Sequence, residues 1–111
     1  MHEVGLCAAL LDAVERRAAG RRVTRVTFRV GVLHRVVEPS LAQAFELVSG
    51  GSVAEGAEVD LVTVPVSVHC GACGATSAVT NEVPACPQCG AAGVTMTGGD
   101  ELILESIQLA G

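Results

Sequence analysis

The chain contains no lysine, no tryptophan and no tyrosine. Each absence removes a class of function. A P-loop of the usual kind needs a lysine on the nucleotide phosphates, so that reading is excluded. Phe28 and Phe45 are the only aromatic residues, which leaves almost no platform for stacking single-stranded nucleic acid. Twelve acidic residues face seven arginines, giving a formal net charge of −5. A protein that tracks phosphates carries a basic excess, so nucleic acid is excluded as a partner. No run approaches the roughly 18 apolar residues of a membrane span. Glu3 and Asp12 stand where a signal peptide would need a basic start and an unbroken apolar stretch. The expected location is cytoplasmic, with no membrane partner and with the five cysteines reduced.

What is present is aliphatic. Half of the 111 residues are hydrophobic, enough for one domain with a core of Val, Leu, Ile and Ala, and room for a small satellite. Residues 4–19 carry Cys7, Leu10, Leu11, Val14 and Ala18 on one stripe, and Gly20 follows, which predicts a helix and its exit. VTRVTFRVGVL alternates strictly and predicts a strand with Val26, Phe28, Val30 and Val32 on one face. EPSLAQAFELVSGG predicts a second helix, with Pro39 near its start and Leu41, Ala44, Phe45 and Val48 as its buried stripe. EVDLVTVPVSVHC reads as a second strand whose parity slips between Leu61 and Val62, with Pro65 better suited to an end than a centre. DELILESIQL reads as the last strand. The expected fold class is α+β: two helices packed on a three-stranded sheet, with a small zinc-ribbon-like insert before the last strand.

That insert carries the strongest motif. Cys70, Cys73, Cys86 and Cys89 form two Cys-x-x-Cys pairs, CGAC and CPQC, separated by twelve residues. Two such knuckles aim four sulfurs at one point, the closed tetrahedral shell of a structural zinc site. Gly74 and Gly90 follow the second cysteine of each pair, where the turn calls for positive φ. The segment is too poor in large apolar residues to hold itself together and needs a staple. Tetrahedral thiolate iron can use the same knuckles. Redox dithiol chemistry fits less well, because a matched second pair has no role in it. His69, beside Cys70, is expected to face solvent or to sit behind the ligands. Cys7 is expected to be a small core residue.

The opening Met1-His2-Glu3 offers an α-amine, backbone nitrogens, an imidazole and a carboxylate within short chelate rings. That nitrogen-rich, nearly planar set suits Ni²⁺ or Cu²⁺ and does not suit Zn²⁺ or Mg²⁺. Taken alone, three residues at a terminus say little.

Together with the rest of the chain they say more. MHE ahead of a helix, VTRVTFRVGVL, VEPSLAQAFELV, GSVAEGAEVDLVTVP, the paired CGAC and CPQC, and GDELILESI resemble, nearly end to end, the nickel-insertion accessory proteins of nickel–iron hydrogenase maturation, the HypA/HybF family. The resemblance implies a metallochaperone and not an enzyme. It would deliver Ni(II) to a hydrogenase large-subunit precursor, and in some organisms to urease, together with a GTPase partner. It places nickel at His2 supported by Met1 and Glu3, and Zn(II) at Cys70, Cys73, Cys86 and Cys89. Residues 1–69 with 97–111 would form the nickel-binding domain and 70–96 the zinc-binding insert. The strand edges leave room for a homodimer. A zinc-ribbon adaptor without nickel is the other reading. An enzyme is disfavoured, since none of His2, His34 and His69 has a readable acid or nucleophile partner.

Overall fold

The computed structural model describes residues 2–80 and 84–111, the side chain of His2 excepted. Among them are two helices and six strands: α1 (His2–Ala18), β1 (Val23–Gly31), α2 (Glu38–Ser49), β2 (Glu58–Val64), β3 (Val66–Cys70), β4 (Thr76–Val79), β5 (Val94–Thr97) and β6 (Leu102–Leu109). No helix is long and apolar enough to cross a membrane. The chain divides into two compact units. One comprises Met1–Arg29, Val36–Val62 and Leu102–Gly111; the other comprises Val30–Arg35 and Thr63–Glu101.

The first unit follows the apolar periodicity. On α1, Cys7, Leu10, Val14 and Ala18 are buried, and Leu11 is half-buried. The helix leaves through Ala19 and Gly20, both at positive φ. On α2 the buried set is Leu41, Ala44, Phe45 and Ser49. Ser49 takes the place expected for Val48, which is half-buried. Its hydroxyl can be buried because it donates to the Glu46 carbonyl at 3.4 Å. Phe28 and Phe45 meet edge to face, with centroids 5.2 Å apart. The sheet order is β2-β1-β6, so the strand with the clearest alternation is the central one. On its polar face Arg25 bridges Glu58 and Asp60 of β2, and Arg29 reaches Glu105 of β6 at 3.2 Å. Such exposed pairs contribute ~1 kcal/mol or less each; they align strands more than they stabilise them.

The second unit departs from expectation. EVDLVTVPVSVHC is two strands belonging to different sheets, and the break falls at Pro65. Proline has no N–H to continue a ladder. β2 runs through Leu61 and Val62 without interruption, so the break comes at the proline and not at the slip of parity. The cysteine segment forms a three-stranded sheet, β4-β3-β5. β3 pairs antiparallel with both β4 and β5, Val68 lying opposite Ser77 on one side and Met96 on the other. Val30, Val66, Val68, Cys70 and Cys86 are its buried hydrophobic residues among those described. The unit is wider than 70–96, since it begins at Thr63 and takes in residues 30–35. There Gly31 donates to the Glu101 carbonyl at 2.7 Å and Leu33 to the Gly99 carbonyl at 2.8 Å.

Candidate metal centre

The two knuckles share the same backbone turn. Gly74 N donates to Cys70 O at 3.0 Å, and Gly90 N to Cys86 O at 2.8 Å. Cys70 N donates to Ala75 O and Cys86 N to Ala91 O, both at 2.9 Å. Gly74 and Gly90 sit at φ +77° and +79°, a region L side chains rarely adopt. Each turn also aims an amide at a sulfur: Cys73 N lies 3.4 Å from Cys70 Sγ, and Gln88 N lies 3.3 Å from Cys86 Sγ. These amide donors were not identified from sequence. The repeated C-x-x-C-G was the signal that could have found them.

The four sulfurs converge. All lie within 4.8 Å of one another, and Cys70–Cys89 and Cys73–Cys86 are both 3.7 Å apart. A tetrahedron with metal–sulfur bonds of about 2.3 Å has edges of about 3.8 Å. The donor set therefore fits a single four-coordinate ion, with soft ligands suited to zinc or iron. Cys70 and Cys86 are buried, while Cys73 and Cys89 are exposed. The cluster thus has an inner and an outer pair.

The same asymmetry governs the protons. The amides of Cys73 and Ala72 draw the Cys70 thiol down to about 6. Cys86 is lowered too, first by the amide of Cys89. Cys89 is pushed up to about 11: the Ala91 amide pulls it down, but Cys70, burial and the other two cysteines outweigh that pull. Cys73 is raised in the same way, against the Ala75 amide, by Cys70, burial and Cys86. Four adjacent thiols do not all ionise without a cation between them. Near pH 7 the metal-free cluster holds protons on Cys73 and Cys89, and a bound ion must displace them. Loading Zn²⁺ is expected to release at least those two protons, with affinity rising as pH rises. Calorimetry in buffers of different ionisation enthalpy measures the number. Zero released protons would refute this distribution.

The other candidates fall elsewhere. His69 is on the exposed side of β3, its Nδ1 3.2 Å from Thr76 Oγ1. Neighbouring residues on a strand point to opposite faces, so His69 and the buried Cys70 diverge. His34 closes the 3-10 turn Val32–His34, its Nε2 2.9 Å from Asp100 O. Cys7 is a core residue: burial, with Glu3 nearby, pushes its thiol to about 11, and Sγ lies 3.5 Å from the Leu41 carbonyl. Glu3 is half-buried on the first turn of α1, beside a shallow groove that Val4, Ser40, Gln43 and Leu47 also line. Met1 and the imidazole of His2 lie outside the described residues.

A family model described as hydrogenase/urease nickel incorporation, metallochaperone, HypA matches residues 1–109. The chain belongs to the HypA family. The hydrogenase maturation factor HypA of Azotobacter chroococcum is 36% identical, covering 98% of this chain and 99% of that protein. That of Nitrosospira multiformis is 35% identical over 98% and 97%. In fold, the chain is similar to the solution structure of the Ni metallochaperone HypA from Helicobacter pylori, with a TM-score of 0.64 at 23% identity and 96% of both chains covered. A second HypA solution structure aligns with a TM-score of 0.58. The HypA fold thus contains the cysteine-bearing unit, and the family match includes the MHE start.

Proposed function

We propose that this chain is a nickel metallochaperone of hydrogenase maturation, and of urease where the host makes one, which carries its cargo at Met1, His2 and Glu3. The observation that carries this reading is the family match, which begins at residue 1 and so takes in His2. His2 would supply its imidazole and backbone nitrogen, Met1 its amine, and Glu3 a backbone nitrogen or carboxylate. The set suits Ni²⁺. Because coordinating amides must lose protons, nickel is held more weakly as pH falls. A first turn at a helix end has unsatisfied amides and open sides, so the cargo can leave by ligand exchange.

Cys70, Cys73, Cys86 and Cys89 would hold a resident zinc ion. When bound, that ion neutralises the thiolates and closes both knuckles on one centre. With four protein ligands no coordination position is open, so the role is structural. The chain would therefore bind and hand over an ion without catalysing a reaction. Its recipients would be a GTPase of the nickel-insertion pathway and the hydrogenase large-subunit precursor.

Metal content after nickel loading and buffer exchange tests the two-site reading, on protein with a free N-terminus. The native chain is expected to retain one zinc and one nickel; His2→Ala is expected to retain the zinc and lose the nickel. Equal nickel in both proteins would remove His2 from the site. Iron in place of zinc after expression with both metals supplied would reassign the cluster.

A further inference from the structure

The four sulfurs of the cluster are not equally reachable. Cys70 and Cys86 are 0% and 3% exposed, whereas Cys73 and Cys89 stand at the surface. Ala72 and Gly74 flank Cys73, and Gly90 follows Cys89; all three are exposed and small, so the chain itself gives the outer sulfurs little cover. Residues 70–80 and 84–99 contain no charged side chain. An ionic reagent therefore finds no local charge to steer it to this surface, while a small neutral one needs none.

Each outer sulfur also has a partner within reach. The two sulfur contacts of 3.7 Å, Cys70–Cys89 and Cys73–Cys86, both run between the knuckles, and each joins an outer cysteine to an inner one. Cys7 has neither property, being fully buried in the core of the other unit. Zinc-bound cysteines are thiolates, and the thiolate is the nucleophilic form. An accessible thiolate with a second sulfur in contact is the arrangement in which a peroxide leaves a disulfide behind, before the accessible sulfur is oxidised further.

We propose that Cys73 and Cys89 are modification sites for small neutral peroxides, whose reaction joins one knuckle to the other through an outer–inner disulfide and expels the resident ion. The inference rests on the zinc reading of the cluster. With hydrogen peroxide, the outer thiolate attacks one oxygen, the O–O bond breaks, hydroxide leaves and a sulfenic acid forms. The inner thiolate opposite, Cys86 for Cys73 and Cys70 for Cys89, then attacks that sulfur. An S–S bond forms, the S–O bond breaks and a second hydroxide leaves. The two thiolates lose two electrons, the peroxide gains them, and the buffer protonates both hydroxides. With two ligands withdrawn, the other two cannot close a tetrahedral shell, and the site releases its ion. The second knuckle thus supplies the partner sulfur. Exchange with a thiol reverses the bond, so the cluster works as a switch.

The test treats zinc-loaded full-length protein with hydrogen peroxide near neutral pH. Freed zinc is read with a chromogenic chelator, and unreduced peptides are mapped by mass spectrometry. One zinc is expected to leave per first disulfide formed, that disulfide being Cys73–Cys86 or Cys70–Cys89, with Cys7 still a free thiol. A thiol reductant supplied with zinc is expected to restore the loaded protein. In a second measurement, iodoacetamide well below one equivalent is added to untreated protein. It is expected to label Cys73 and Cys89 at least about tenfold more than Cys70 and Cys86, following access to the thiolate. A first disulfide within one knuckle or between Cys73 and Cys89, labelling led by the inner pair, or zinc retained under a large excess of peroxide would overturn the proposal. Metal content measured before peroxide is added tests the zinc reading separately: iron in the untreated cluster would fail that reading, while the disulfide map still decides the pairing.

Discussion

Stripping the ion from the four cysteines is expected to unfold residues 63–101 while α1 and α2 keep their helical signal. The second unit buries three valines, Val30, Val66 and Val68, besides its two inner cysteines. A buried valine contributes roughly 1.5–3 kcal/mol. Structural zinc in small domains contributes roughly 10–16 kcal/mol of apparent folding free energy near neutral pH. The metal outweighs the apolar core, so the core alone does not hold the unit. Amide exchange on β3, β4 and β5 should collapse to that of an unfolded segment on chelation, and Cys70→Ser and Cys86→Ser should produce the same pattern in the presence of zinc. Far-UV circular dichroism of the helices should change little. Protected β3 amides in the chelated protein would show that the strands stand without the ion, and would sink this account.

Gly31→Ala is expected to be the most damaging single-methyl change in the second unit. A Cβ on Gly31 would run into the Gly99 carbonyl and come within 2.5 Å of the Asp100 nitrogen. Those are backbone atoms, tied in place by the bonds from Gly31 to Glu101 and from Leu33 to Gly99. They cannot swing aside as a side-chain tip can. Gly99 has no room to retreat, since it sits at φ +83° with its own Cβ position 2.5 Å from Val66 Cγ2. A cost of about 3 kcal/mol, the top of the ordinary overpacking range, is expected. At about 4–8 °C per kcal/mol for a chain of this size, Tm should fall by roughly 12–24 °C. Gly5→Ala is the control: it lies within α1, and its Cβ would meet nothing within 4 Å. It should raise Tm slightly, since alanine is the better helix former by roughly 1 kcal/mol. Metal content must be matched between the variants. A Tm for Gly31→Ala within a few degrees of the control would show that the crossing gives way.

How legible each part was follows from the range of the interactions that make it. α1, β1 and α2 each carry their own pattern over ten residues or so, and the periodic stripe names the buried face in advance. β6 was legible for the same reason. β4 and β5 were not, because four residues such as TSAV or VTMT hold too few apolar positions to show a period. They are strands because β3 lies between them and the knuckles fold them back. The contribution of Val30–Arg35 to the second unit was equally hidden, since it depends on a glycine meeting residues 99–101 far along the chain. The convergence of the four cysteines was legible from their spacing and turn glycines, whereas the amides aimed at Cys70 and Cys86 were not. The strand break at Pro65 was half legible: the proline was visible, but not the change of sheet.

The order in which the chain is made gives the two sheets different histories. β3, β4, β5 and all four cysteines are complete once residue 97 has been synthesised. The other sheet needs β6 beside β1, so it waits for the last strand to emerge. Until then α1, β1 and α2 have no closed sheet to pack on. A metal ion captured early pins residue 70 to residue 89, and the β3–β5 ladder brings residue 67 opposite residue 97. The long excursion between β2 and β6 is thereby shortened before the ends must meet, which lowers the entropy cost of closing it. A metal-filled cluster is thus expected to speed closure of the first sheet, and depriving the growing chain of metal to slow it.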